Sequence, residues 1–203
     1  MKKKTVISNT GTISRPFSSI AAATILVSMI SLCGGQNARA TIFTFSIPAT
    51  TPWTDTGINI SAGSELEVTA SGTATYGFSP GQNCGPNGGD LGGPLFFSDS
   101  VVPTAVSHSL IGKTGGTTAV GNGTPVPEGT PGDGVGFVGA SYNEIISTGG
   151  ELFLGFNDQV GGFSDNSGAF SVTVTVVPVP EPSVAALAGL GAFVLLARRM
   201  KRH

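Results

Sequence analysis

The stretch AFSVTVTVV alternates without a break: Phe170, Val172, Val174 and Val176 fall on one side, Ser171, Thr173 and Thr175 on the other. A period of two is the pleat of a β-strand with one buried and one wet face, and no helix can use it. ELEVTA repeats the pattern, with Leu66, Val68 and Ala70 opposed to Glu65, Glu67 and Thr69, and ELFLGF sets Leu152, Leu154 and Phe156 on one side. Further candidate strands lie near 42–47, 57–61, 72–78, 105–111, 117–120, 135–140 and 142–147, separated by Gly, Pro, Asn and Ser, the residues of turns. No stretch between the two ends has a convincing helical period. The expected fold is all-β, an antiparallel β-sandwich of jelly-roll-like type. GQNCGPNGGDLGGP, from Gly81 to Pro94, is too rich in Gly and Pro for a strand and is expected to be a long loop.

The two ends of the chain have a different grammar. Lys2, Lys3 and Lys4, an apolar run from Ile20 to Cys33 and then Ala38-Arg39-Ala40 compose a secretory signal peptide, residues 1–40, with cleavage by signal peptidase expected after Ala40. The apolar run is short for a bilayer span, and Leu32 is too large to precede a lipoprotein cysteine. At the other end Val179-Pro180-Glu181-Pro182 is followed by an apolar segment from Val184 to Ala197 and by Arg198, Arg199, Lys201 and Arg202. A short apolar helix with a basic tail holds that tail in the cytoplasm. These three features in order, residues 179–203, resemble a PEP-CTERM sorting signal. The resemblance implies recognition by an exosortase, a transient inner-membrane anchor, and delivery to the cell surface or an exopolysaccharide matrix.

Between the ends, residues 41–178 are the length of one domain. Lys113 is its only lysine or arginine against eleven aspartates and glutamates, so the chain's formal net charge of −2 hides a strongly acidic domain. Such a surface repels nucleic acid and anionic lipid and attracts cations, which sets nucleic-acid binding aside. Cys33 leaves with the signal peptide, so Cys84 has no partner for an intramolecular disulfide in the mature chain and is expected to be a partly buried thiol. No cysteine or histidine cluster offers a zinc site.

The candidate functional segment is NDQVGGFSDNSG, residues 157–168, between two strands. Asp158, Asp165 and Asn166 share this glycine-rich loop. Aspartate, asparagine, serine and glycine also form ordinary turns, and the spacing is not that of an EF-hand. Calcium takes six to eight oxygens from carboxylates, amides and main-chain carbonyls, and this loop is rich in them.

GINISAGSELEVTASGTATYG, CGPNGGD, SLIGKTGG and GELFLGFNDQVGGFSDNSGAFSV, in that order, resemble the PA-I type galactophilic lectins of bacteria. These are small calcium-dependent β-sandwich proteins, and the similarity runs over roughly residues 57 to 177. The resemblance implies a calcium ion held by Asp158, by the carbonyl of Gly162, by Asp165 and Asn166, and by the carbonyl of Tyr76 in TATYG. It implies a carbohydrate partner, a galactoside or an exopolysaccharide, whose vicinal hydroxyls complete the calcium shell and hydrogen-bond Asp158 and Asp165 near Gly162. The sequence departs from the family's pattern in three places. Asp165 stands where an asparagine is usual, and Gly162 where a threonine is usual. The family's His-Pro-x-Gln element, whose His and Gln touch the sugar, has no counterpart in GPNGGDLGGPLF. Weak single-site binding with little preference for galactose follows, with avidity left to multivalent display such as a homo-oligomer. His108, in VSHSL, falls on a candidate strand and is read as a packed or surface histidine.

Three function classes compete. A calcium-dependent surface or matrix lectin comes first. A structural matrix protein, in which calcium only braces a loop, stays open beside it. A hydrolase is set aside, because Asp158 and Asp165 are better explained as metal ligands than as a glycosidase pair. Ser107-His108 beside acids is likewise no triad without spatial evidence.

The mature surface form is expected to lack residues 1–40 and the residues after Pro182. Intact-mass analysis of protein released from cells tests this; a main species that retains Arg198 to His203 would refute it.

Overall fold

In a computed structural model of the chain, the longest alternating stretches pair with each other. β3 (Glu65–Tyr76) and β9 (Asn166–Val177) run antiparallel over their whole length, from Glu65 opposite Val177 to Tyr76 opposite Asn166. The structure describes residues 39–79, 81–89 and 95–178, together with 191, 194, 198 and 199. Ala38 and the Pro180-Glu181-Pro182 motif, with most of both targeting segments, lie outside the described residues. Gly191, Val194, Arg198 and Arg199 are helical, and among the described residues no helix is long and apolar enough to cross a membrane.

The fold is an all-β antiparallel sandwich. β1 (Thr41–Pro48) lines the outer edge of β9, while β7 (Ser141–Ile145) and the two-residue β4 (Asn83–Cys84) divide the far edge of β3. The second sheet has the order β2 (Thr54–Ile60), β8 (Gly150–Phe156), β5 (Leu110–Thr114), β6 (Thr124–Pro125). Leu66, Val68, Phe170, Val172 and Val174 meet Ile58, Leu110, Leu152, Leu154 and Phe156 in one buried core. The alternating faces therefore point as the sequence predicts. Each such side chain contributes roughly 1.5–3 kcal/mol when fully buried, so a one-residue slip of β9 that exchanged its valines for threonines would forfeit most of the core.

β5 is buried at every position, which alternation alone does not explain. Its second face packs with Trp53, Val101, Val102, Ala105, Val106, Phe137 and Phe153 in a separate apolar cluster, because the loop before β5 folds back over the second sheet. Lys113 lies on this covered face with 1 % exposure. Its ammonium donates to the carbonyls of Thr117, Ala119 and Asn122 and to Asn122 Oδ1, at 2.7, 3.0, 2.9 and 3.1 Å. The same Nζ sits 4.5 Å from the Trp53 ring centre and 5.3 Å from that of Phe153. Burial pulls its pKa below the ordinary lysine value.

Three expected strands are corrected by these contacts. Residues 117–120 turn their carbonyls onto the Lys113 ammonium instead of onto a neighbouring strand. Residues 135–140 touch β5 through the Ile111–Phe137 bridge and form no strand, because Gly136 (φ 91°) and Gly139 (φ 64°) adopt a backbone that no strand uses. In 105–111 the strand begins only at Leu110, after a turn at Ser107–Ser109. Conversely, the loop expected from Gly81 to Pro94 contains β4, and Cys84 is fully buried, with Sγ 3.7 Å from the Ala74 carbonyl.

Lys113→Met keeps the apolar stem and removes the donor from four acceptors. An unsatisfied buried acceptor costs roughly 1–3 kcal/mol, and because the 117–122 carbonyls are partly wet the total expected is about 2 kcal/mol. Urea denaturation measures it, and faster amide exchange in 115–123 should accompany the loss; an unchanged midpoint would mean that the ammonium is not what holds this loop.

Candidate functional site

The pairing of β3 with β9 brings Tyr76 and Asn166 opposite each other at one end of the sandwich. The segment between β8 and β9 returns to the same end. It passes Asn157 and Asp158, turns at Gln159–Gly162 and closes in a 3-10 turn, Phe163–Asp165, that delivers the chain into Asn166. Residues far apart in sequence thus meet because two strands end together.

Asp158 is buried, with 6 % exposure. Its Oδ1 accepts from the Gln159 N–H at 2.7 Å and its Oδ2 from Asn166 Nδ2 at 2.8 Å. The second Nδ2 proton of Asn166 goes to the Ala49 carbonyl at 3.0 Å. Both amide protons are therefore committed to acceptors, which fixes the amide's orientation: reversed, it would set oxygen against oxygen twice. Asn166 Oδ1 is left buried with no hydrogen-bond partner among the described residues. Buried acceptors are normally satisfied, and an exception calls for a partner that brings positive charge or a proton.

Gly162 lies against the same carboxylate: a Cβ added there would stand 3.4 Å from Asp158 Oδ2. Tyr76, Asp158, Gly162 and Asp165 line one open pocket of about 260 Å³ together with Gln82, Phe97, His108 and Gln159. Asn166 is not among the lining residues but is bonded to Asp158, which is. All five residues singled out from the sequence converge here. Among the described residues no three His, Cys, Asp or Glu side chains form a metal cluster. Asp158, Asp165 and the adjoining Asn166 offer two carboxylates and an amide oxygen, with the main chain of Tyr76 and Gly162 beside them, the donor types of a hard cation.

Two contributors were not legible in the sequence as site residues. Asn157, with no exposure, accepts from Val102 N–H at 2.9 Å and donates to the carbonyls of Val102, Ala105 and Val106 at 3.1, 3.1 and 2.9 Å. All its hydrogen-bonding capacity pins the 100–109 loop beside the pocket. His108 is neither on a strand nor at the surface. It sits in the turn before β5, its backbone N–H held by the Asn157 carbonyl at 2.7 Å, and its ring stacks on Tyr76 with centres 3.8 Å apart and planes 7° from parallel. A polar residue flanked by two serines has no periodic signature, and its left-handed backbone cannot be read from residue type.

No protein-family model matches the chain, and no curated protein matches it. Among solved structures the chain is similar to the "EclA N-terminal domain; PllA-like lectin", with 23 % identity, a TM-score of 0.45 and an alignment covering 66 % of this chain and 95 % of that one.

Burial works to raise the Asp158 pKa, but the His108 imidazole, the Asn166 amide and the Gln159 N–H outweigh it and hold the carboxyl below its ordinary value. A carboxyl depressed in the folded state adds stability in full above the unfolded-chain value of about 3.9 and loses it as pH falls through the folded value. In chelator, the wild-type melting temperature should therefore fall more steeply below about pH 4 than that of Asp158→Asn. Parallel acid curves would show that the carboxylate network adds nothing to stability.

Proposed function

We propose that the chain is an exported calcium-dependent carbohydrate-binding protein of the cell surface or exopolysaccharide matrix. The observation that carries this reading is Asn166 Oδ1, a buried acceptor without a partner among the described residues, on a side chain bonded to the buried Asp158 carboxylate that lines an acidic pocket. Asp158, Asp165 and Asn166, with the carbonyls of Tyr76 and Gly162, would hold the ion. When bound, calcium supplies coordination positions for two vicinal sugar hydroxyls. Asp158 and Asp165 accept charge-assisted hydrogen bonds from the same hydroxyls. The pocket is smaller than the roughly 300–1,000 Å³ of sites for drug-sized ligands, so it suits one sugar ring rather than a chain. The likeness to the PA-I type lectins in sequence supports the same reading, as does an acidic domain with one lysine. The targeting segments support the location, with signal peptidase and exosortase as processing partners.

A loop brace without sugar is the competing reading. The bonds from Asn166 to Asp158 and to Ala49 favour it, because they already tie the loop to the end of β1.

A cation that binds only the folded chain adds about 3 kcal/mol at a hundredfold excess over its dissociation constant, worth roughly 10 °C for a domain of this size. Thermal melting of the full-length chain in calcium and in chelator should differ by that much. Asp158→Ala should abolish the difference, and Asp165→Asn should keep most of it. Titration with methyl glycosides of galactose, mannose and fucose then separates the two readings: weak binding in calcium and none in chelator is expected. Calcium stabilisation without binding to any glycan would leave the brace; equal melting with and without calcium would remove both.

A further inference from the structure

His108 has a φ of 60°, and it is the only residue other than glycine with a left-handed backbone among those described. That conformation costs energy for any side chain with a Cβ, and it persists only where the surroundings over-determine it. Here they do. The His108 N–H is bonded to the Asn157 carbonyl, and on the other side Gly88 packs so closely that a Cβ there would stand 2.9 Å from Ser109 N. The clamp aims the imidazole into the pocket that Asp158 and Asp165 line, with one ring face covered by Tyr76 and with Phe97 and Phe156 each 6.2 Å away, centre to centre. A histidine serving packing alone gains nothing from this strained backbone, since glycine would fill the turn without strain.

The distance from His108 Nε2 to Asp158 Oδ1 is 3.6 Å. That is long for a direct hydrogen bond. It is the right base for a third oxygen: an atom about 2.8 Å from both completes a triangle with two normal hydrogen bonds. We propose that His108 is a specificity-determining contact for the sugar, its Nε2 and Asp158 Oδ1 together grasping one hydroxyl that donates to the carboxylate and accepts the imidazole N–H. This rests on the carbohydrate-binding function proposed above and adds a demand to it. The ligand is a hexose whose hydroxyl at that corner cannot be removed, because a site built to hydrogen-bond a hydroxyl strongly rejects the analogue that lacks it.

The variant that tests this is His108→Gly, because glycine adopts φ near 60° without strain and the turn should keep its shape. The full-length chain is titrated in calcium with methyl galactoside, mannoside and fucoside, and its melting is followed in calcium and in chelator. The expected result is sugar affinity reduced about tenfold or more, as for loss of one hydrogen bond to a charged pair, with the calcium-dependent rise in melting temperature unchanged. His108→Asn, which tolerates the same backbone, should fall between the two. Wild-type affinity in His108→Gly would overturn the inference and leave the proposed function intact. Loss of the calcium response in His108→Gly would also overturn it, because His108 would then act on the cation site rather than on the sugar. A wild-type chain that binds none of the three glycosides would show that the proposed function itself has failed, and the inference with it.

Discussion

The register of β3 against β9 is the constraint on which the rest of the molecule depends. Twelve consecutive pairs lock Glu65–Tyr76 onto Asn166–Val177. Because side chains alternate with a period of two, this register sends Leu66, Val68, Phe170, Val172 and Val174 inward as a set. It also determines where the pair ends. Tyr76 and Asn166 are its last members, so the pocket is built at the point where the sheet stops. Packing energy and site geometry are thus two results of one alignment, and a slipped register would lose both.

Around that frame the chain repeatedly replaces strand pairing with convergence on a single polar group. The ammonium of Lys113 gathers three carbonyls and an amide oxygen from 117–122, and the amide of Asn157 gathers four main-chain groups from 102–106. Both hubs are buried in a chain with few charges. Each satisfies backbone groups that a sheet would otherwise have to pair, which allows long irregular loops to cover the outer face of the second sheet. The Asn157 hub bears more directly on the proposed site, since the loop it fixes carries His108 and the next residue is Asp158.

The acidic character of the domain has a local counterpart at the pocket. Asp158 is buried, which by itself disfavours its charge, yet two hydrogen-bond donors, the Asn166 amide and the Gln159 N–H, together with the nearby His108 imidazole, hold its carboxyl below the ordinary value. Asn166 spends both its protons in that network and is left with an acceptor facing no proton. Two carboxylates and this stranded amide oxygen are the groups on which the proposed cation site rests.

The sequence by itself determined the all-β class, which faces of β3 and β9 are buried, which face of β8 meets the main core, the acidity of the domain and the loop in which Asp158, Gly162, Asp165 and Asn166 stand. All of these follow from local pattern: the pleat has a period of two, and turn chemistry is carried by residue type. It did not determine that 117–120 would wrap a lysine, that 135–140 would bend at its glycines, or that Asn157 would pin a loop some fifty residues away. Nor did it place His108 against Tyr76 and Asp158. Those outcomes rest on hydrogen bonds between distant segments and on one left-handed backbone angle. Neither has a period, so only the tertiary structure, in which the competing partners stand side by side, could decide them.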